Sequence, residues 1–253
     1  MKIVITAGGT SEPIDTVRSI TNSSTGRLGS EICSALLAKK PAVIEKIYYL
    51  CHLRAIRPPA SPLVEVVTTG STESLLETVK SLLTENKIDI FIHSMAVSDY
   101  TVDYVSTAGL LSREISERLK GREAGEDARP LIEDIIRKNE SVLTGNKISS
   151  SETDLIIKLR PTPKVISAIK PLSPDTFLVG FKLLSGVTKE ELRQVGMNLL
   201  KKNSCDLVVA NDLADISGDK HKAMLLRPDG SFLRAETKSE IANLIISEAF
   251  GRD

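Results

Sequence analysis

Apolar runs rich in valine and isoleucine recur at 3–7, 44–51, 64–68, 88–94, 155–159, 177–181 and 207–210. They are continuous rather than alternating, the mark of strands covered on both faces. Between several of them the apolar positions change to helical spacing. Leu28, Ile32, Leu36 and Leu37 form one stripe; Leu75, Leu76, Val79, Leu82 and Leu83 form another, after a hydroxyl start near Thr72. Strands alternating with helices predict an α/β fold with a doubly wound, mostly parallel, Rossmann-like sheet. Two segments depart from that rhythm. From about 102 to 146 the chain is charged and helix-prone, which predicts a helical insertion with the character of a solvated flap. Near the end, Pro228, Asp229 and Gly230 separate two strand-like runs and predict a C-terminal β-hairpin, followed by a capped terminal helix in TKSEIANLIISEAF. With no internal repeat and no low-complexity linker, the expectation is one domain over 1–253.

Composition narrows the classes. The 253 residues are 41% hydrophobic, enough for a substantial core. Lysine plus arginine equals aspartate plus glutamate at 33 each, so no overall field draws the chain to nucleic acid or to an anionic membrane. Any phosphate must be held by local geometry. No window approaches the ~18 apolar residues of a spanning helix. The N-terminal run KIVITAG has no basic leader, and the expected compartment is the cytoplasm. Cys33, Cys51 and Cys205 are odd in number, far apart and outside any CxxC pair, so they read as reduced, buried structural thiols.

The candidate chemistry gathers in the opening. The first strand ends in Gly8 and Gly9, at the carboxyl edge where open α/β sheets bind ligands. A dinucleotide fingerprint would need GxGxxG there, yet the next glycine is Gly26. A second cluster, Asn22, Ser23, Ser24, Thr25, Gly26 and Gly29, directly precedes the helix of the Leu28 stripe. Its free N–H groups, hydroxyls and positive helix end fit an anion cradle, and they fit an ordinary hydroxyl cap equally well. Arg18 adds a guanidinium able to grip phosphate or carboxylate bidentately.

The stretch ITAGGTSEPIDTVRSITNSSTGRLG resembles the signature of phosphopantothenate-cysteine ligases. The resemblance continues through MAVSDY (95–100), GNKISSS with LIIKLRPTPKVI, LVGFK (178–182) and LVVANDL (207–213), so it covers nearly everything except 102–146. It implies a ligase of coenzyme A biosynthesis in its stand-alone form. Such an enzyme joins 4'-phosphopantothenate to L-cysteine through an acyl-nucleotide made from CTP or, in the eukaryotic branch, ATP. It also implies Mg2+ on the nucleotide and a homodimer.

By the same resemblance, Gly9, Ser24, Gly26 and Gly29 cradle the nucleotide phosphates. Asn22 holds the acyl intermediate, and Arg18 and Ala96 lie beside the phosphopantothenate. Asp99 and Asn211 contact the nucleotide, Phe181 stacks on its base, and Pro161, Thr162, Pro163 and Lys164 present backbone to it. Lys147 closes over substrate, while Lys182 and Lys202 supply phosphate charge. Several positions depart from the family pattern. Ser149 and Ser150 replace two lysines after Lys147, Pro-Thr-Pro-Lys replaces Lys-Asn-Pro-Asp at 161–164, and GFKLLSG replaces the bacterial Gly-Phe-Ala-Ala-Glu-Thr. CTP is the expected nucleotide. The competing reading is an NAD(P)-dependent oxidoreductase, suggested by architecture alone; a non-enzymatic nucleotide-binding regulator would keep the cradle without needing Asn22 or Lys147.

Overall fold

The computed structural model describes residues 1–123, 125–138, 143 and 147–251. Gly145 and Asn146 of the GNKISSS motif, and with them most of the end of the expected insertion, lie outside the described residues. In chain order the first elements are β1 (Lys2–Ala7), β2 (Ser11–Pro13), β3 (Ser19–Thr21), α1 (Arg27–Lys39), β4 (Lys46–Cys51), β5 (Val64–Thr68), α2 (Thr72–Glu85) and β6 (Ile90–His93). There follow β7 (Tyr100–Thr107), α3 (Ala108–Leu119), α4 (Arg129–Arg137), β8 (Leu155–Pro161), α5 (Ile169–Leu172), β9 (Phe177–Leu184) and α6 (Lys189–Asn203). The chain closes with β10 (Leu207–Asp212), β11 (Ile216–Ser217), β12 (Lys220–Leu226), β13 (Phe232–Thr237) and α7 (Lys238–Phe250).

The chain divides into two compact units, where the sequence suggested one domain with an excursion over 102–146. The larger comprises Met1–Ser11, Thr21–Ser98 and Pro163–Asp253; the smaller comprises Glu12–Ile20 and Asp99–Thr162. The larger unit is built on one sheet in the order β11-β12-β10-β9-β6-β1-β4-β5, with β13 pairing β12. Six of its strands, from β10 to the edge strand β5, are parallel throughout. That is the doubly wound order of the Rossmann type, with the chain reversing direction between β1 and β6. Helices α1 and α7 cover one face through Ile32, Cys33, Leu36, Ile241 and Ile245. The other face is covered by α2, α5 and α6 through Leu75, Val79, Ile169, Leu192 and Leu200. Each of the fully buried Ile3, Ile5, Ile32, Leu36, Ile47, Leu50 and Leu75 contributes about 1.5–3 kcal/mol of burial free energy. The terminal hairpin β12–β13 and the Thr237-capped α7 form as the sequence predicts. All three cysteines are buried and free, and burial pushes the Cys33 and Cys205 thiols up to about 12.

In the smaller unit the structure corrects two expectations. Residues 102–107 are strand rather than helix, because the β-branched and aromatic Val102, Tyr104, Val105 and Thr107 favour an extended chain and find a partner in β8. The apolar run at 155–159 lies outside the main sheet and pairs antiparallel with β7. Leu155, Ile157 and Leu159 are exposed while Ile156 and Lys158 between them are half-buried, the period of a strand covered on one face only. Helices α3 and α4, which follow β7, are the helical part of the insertion.

Helix α1 sits against β1 because residue 29 is glycine. A Cβ there would lie 2.5 Å from Ala7 Cβ and 3.2 Å from Ser94 Oγ. Gly29→Ala should therefore lower the urea midpoint: the overpacking costs about 1–3 kcal/mol, more than the ~1 kcal/mol of helix propensity that alanine adds. A midpoint equal to or above the parent's would show that α1 can shift to make room.

His221, buried on β12, has no hydrogen-bond partner at either ring nitrogen among the described residues, and burial pushes its pKa down to about 4, with the Lys238 charge adding to the shift. Between pH 6.5 and 4 the unfolded chain takes up a proton that the folded chain does not, so stability falls as pH falls through that window. The loss reaches roughly 3 kcal/mol by the lower end. His221→Leu should shrink the drop in urea midpoint between pH 7 and pH 4.5; an unchanged drop would place the titration elsewhere.

Candidate functional site

The carboxyl ends of β1 and β6 flank the point where the sheet reverses direction, and their exit loops continue the parallel ladder. Ala96 N–H donates to Gly8 C=O (2.8 Å), Thr10 N–H donates to Ala96 C=O (3.1 Å), and Gly9 pairs with Ala96. The 22–26 loop lies directly on this edge. Asn22 N–H donates to Thr10 C=O at 3.2 Å, and its Nδ2 donates to Ala96 C=O at 2.9 Å. A second, longer contact runs from Asn22 Nδ2 to Ser98 Oγ at 3.5 Å. A Cβ on Gly9 would fall 2.4 Å from Asn22 C=O, so glycine at 9 is required by the chain's own crossing. The space above the first turn, where a dinucleotide pyrophosphate would rest, is filled by Asn22 backbone.

Helix α1 is preceded by Gly26 at its cap position, left-handed at φ +79° and without a side chain to cap the helix. In the same unit α2, α6 and α7 are each capped by a hydroxyl, from Ser71, Thr188 and Thr237. The Thr25 hydroxyl takes a cap-like part, its Oγ1 accepting from Arg27 N–H at 3.4 Å. The first turn of α1 contains no acidic residue, and Arg27 stands at its start. The N–H groups of the first turn, the positive helix end and the exposed Ser24 lie together on this edge. The loop is fixed from behind, where Ile56 N–H donates to Thr25 C=O (2.9 Å) and Tyr49 Oη donates to Gly26 C=O (3.4 Å).

The other expected residues of the larger unit are spread more widely. Asn211 is buried near the carboxyl end of β10, opposite Leu183 of β9, and Lys182 is half-buried beside Ala210. Asp212, next along, accepts N–H bonds from Gly186, Val187 and Ala214, which makes it a turn-closing carboxylate. Phe181 packs against the core on one side. Pro163 and Lys164 are exposed where the chain re-enters this unit after β8. Lys202 stands apart. It is exposed on the last turn of α6, the turn that feeds the amino end of β10, whereas Asn22, Asn211 and Gly26 lie at the carboxyl edge. A helix of this length separates the two edges by about 20 Å. A lysine at a helix C-terminus is accounted for by the dipole.

In the smaller unit, Arg18 is held rather than free. Its Nε and Nη2 donate to Asp15 Oδ2 at 3.0 and 2.6 Å, and Nη2 also donates to Ile148 C=O at 2.7 Å. Asp15, whose side chain is 2% exposed, also accepts from the N–H groups of Val17, Arg18 and Ile148. The Arg18 guanidinium and these N–H groups hold the Asp15 carboxyl far below the usual carboxylate range. Lys147 is exposed and directly precedes Ile148. Asp99 and Thr162 are joined, Thr162 N–H donating to Asp99 C=O at 3.0 Å where β7 and β8 meet their ends, and Pro161 is exposed beside them. Among the described residues no three His, Cys, Asp or Glu side chains gather as a metal cage.

Sequence reading missed Thr10, Ser98 and Asp15. Thr10 Oγ1 donates to Ser98 Oγ at 2.9 Å and accepts from Ser98 N–H at 2.8 Å, which ties the two loops that orient Asn22. Each lies inside a quoted motif, but hydroxyl-to-hydroxyl pairing across 88 residues leaves no local signal.

A family model described as the DNA/pantothenate metabolism flavoprotein C-terminal domain matches residues 1–118 and 139–251. The coenzyme A biosynthesis bifunctional protein CoaBC of Thermococcus kodakarensis is 29% identical over 98% of this chain. The chain spans about half the length of the curated relatives it matches, 50% of that one and 52% of the Escherichia coli CoaBC. A crystal structure of the DNA/pantothenate metabolism flavoprotein from Streptococcus pneumoniae superposes with a TM-score of 0.80 at 35% identity, covering 100% of both chains. The complex of a Cab2 H337A mutant with phosphopantothenate-cysteine shares the fold, with a TM-score of 0.67 at 18% identity over 99% of this chain and 85% of that one. No helix among the described residues is long and apolar enough to cross a membrane. The chain belongs to the family of the DNA/pantothenate metabolism flavoprotein C-terminal domain.

Proposed function

We propose that this chain is a phosphopantothenate-cysteine ligase of coenzyme A biosynthesis. It joins 4'-phosphopantothenate to L-cysteine through an acyl-nucleotide, with CTP as the preferred triphosphate, ATP as the alternative, and magnesium arriving on it. A carboxylate is a poor acyl donor, so its oxygen attacks the α-phosphorus and pyrophosphate leaves. The cysteine amine then attacks the activated carbonyl, the nucleoside monophosphate leaves, and the amide of 4'-phosphopantothenoylcysteine remains. Both steps pass through crowded anionic states that positioned donors stabilise.

The observation that carries this reading is the N-terminus of α1, with a left-handed glycine at its cap position, beside a carboxamide held in place by Ala96. The N–H groups of α1 and the Ser24 hydroxyl would hold phosphate oxygens. One amide hydrogen of Asn22 is taken by Ala96 C=O; the other has only the 3.5 Å contact to Ser98 and is the one an acyl oxygen would take up. Arg18 and Lys147 are the proposed cations of the smaller unit, and Lys182 the proposed phosphate lysine of the larger. The names of the matched relatives, coenzyme A biosynthesis proteins, support the same reading. The cytoplasm is the proposed compartment.

Purified protein given CTP or ATP, magnesium and phosphopantothenate should release pyrophosphate, with CTP the faster, and should form the amide once cysteine is added. No pyrophosphate with either nucleotide would end the proposal. Asn22→Ala should lower kcat roughly 100-fold or more while leaving the nucleotide Kd within a few-fold. Equal losses in both would reduce Asn22 to a structural prop.

The proposed partner in assembly is a second copy of the chain. Its docking surface would be the exposed side of β8, where Leu155, Ile157 and Leu159 are 36%, 37% and 41% exposed. Ile157→Asp should shift the light-scattering mass from that of two chains to that of one; an unchanged mass would move the interface elsewhere.

A further inference from the structure

We infer that Asp15 is a positioning residue for Lys147, holding the lysine-bearing loop through the backbone of Ile148. This rests on the ligase reading for its catalytic consequence, though not for its geometry.

Lys147 begins a polar stretch, Lys-Ile-Ser-Ser-Ser, in which only Ile148 is apolar. A lysine there would ordinarily sample many rotamers in water, at an entropic cost when held. The structure grips the next residue from both sides. Ile148 N–H donates to Asp15 Oδ2 at 3.2 Å, and Ile148 C=O accepts from Arg18 Nη2 at 2.7 Å. The two gripping groups are locked to each other by the Asp15–Arg18 fork at 2.6 and 3.0 Å. Asp15 is in turn fixed to its own turn, its Oδ1 accepting from Val17 N–H at 2.9 Å and Arg18 N–H at 2.7 Å, and the turn closes with Ile14 N–H donating to Arg18 C=O at 2.8 Å. The Ile148 side chain is buried while Lys147 is exposed, so the loop is anchored at 148 and presents the amine next to the anchor.

One buried carboxylate thus sets three things: the shape of the 15–18 turn, the direction of the Arg18 guanidinium, and the backbone from which Lys147 extends. Charge-assisted bonds of this kind are about twice as strong as neutral ones, and buried acceptors that lose their donors are penalised in full. The departure from the family pattern makes the anchor weightier. With Ser149 and Ser150 where relatives carry lysines, Lys147 is the one cation this stretch supplies, and no neighbouring amine substitutes for it if the loop drifts.

The test uses the full chain and the variants Asp15→Asn, Lys147→Ala, the double variant and, as a second route that retains Asp15, Arg18→Lys. Hydrogen exchange is read on peptides covering 147–151. The rate of Lys147 acetylation by a limiting N-hydroxysuccinimide ester is read by peptide mass, and pyrophosphate release gives kcat and KM. Asp15→Asn is expected to speed exchange in 147–151 roughly ten-fold, to change the Lys147 acetylation rate, and to lower kcat with the KM for nucleotide within about two-fold. The double variant is expected to be no slower than Lys147→Ala alone, because a positioning residue has nothing left to position. Unchanged exchange and acetylation in Asp15→Asn would overturn the anchor whatever the activity. Faster exchange with kcat intact, or additive losses in the double variant, would overturn its role in positioning. If Asp15→Asn loses its far-UV signal, Arg18→Lys decides by the same exchange and acetylation readouts. Failure of the parent protein to release pyrophosphate would sink the ligase reading, while the exchange result would still decide the anchor.

Discussion

The larger unit depends on a backbone crossing. Gly9, at the exit of β1, pairs with Ala96, at the exit of β6, while the backbone of Asn22 passes over both. Only a residue without Cβ fits at 9, since Asn22 C=O would stand 2.4 Å from it. The crossing brings three segments distant in sequence within hydrogen-bonding reach at the reversal point of the sheet. It also fixes the direction in which α1 leaves the loop. Gly8 and Gly26, both at positive φ, complete the approach, with a Cβ on Gly26 only 3.0 Å from Gly8 N. Glycines read from sequence as places for a ligand are first of all places for the chain itself.

The consequence is an unusual helix start. Helices α2, α6 and α7 each carry a hydroxyl at the cap position, whereas α1 carries a left-handed glycine. The 22–25 segment reaches Thr10 and Ala96 through Asn22, and Thr25 Oγ1 accepts from Arg27 N–H at 3.4 Å. Side chains that orient Asn22, chiefly Thr10 and Ser98, act through hydroxyl bonds of 2.8 to 2.9 Å and touch no expected substrate atom. They belong to the site as surely as the residues they hold.

The smaller unit works by a different principle. Its two-stranded ribbon β7–β8 is too small to bury both faces, and its order near Asp15 comes from charge and backbone bonding rather than from a wide core. That difference explains where sequence patterns misled. The apolar run at 155–159 resembles a core strand in composition, but in the structure Ile156 and Lys158 lie on its covered face and Leu155, Ile157 and Leu159 on its exposed one. Helical charge patterning was correct for α3 and α4, yet it was extended over 102–107, where β-branched residues and pairing with β8 decide for strand.

By itself, the sequence determined the parallel sheet, most of its helices and the terminal hairpin. Those follow from apolar periodicity and turn residues, which act over a few positions and are written locally. Tertiary structure alone decided the rest. It made Asn22 an oriented amide instead of a cap, joined Thr10 to Ser98, put Lys202 at the far edge of the sheet, and gave Arg18 to Asp15 and Ile148. The bonds of Asn22 to Ala96, Thr10 to Ser98 and Arg18 to Ile148 turn on which groups distant in sequence come within three ångströms of one another, and the place of Lys202 on the edge that its helix reaches; topology sets both.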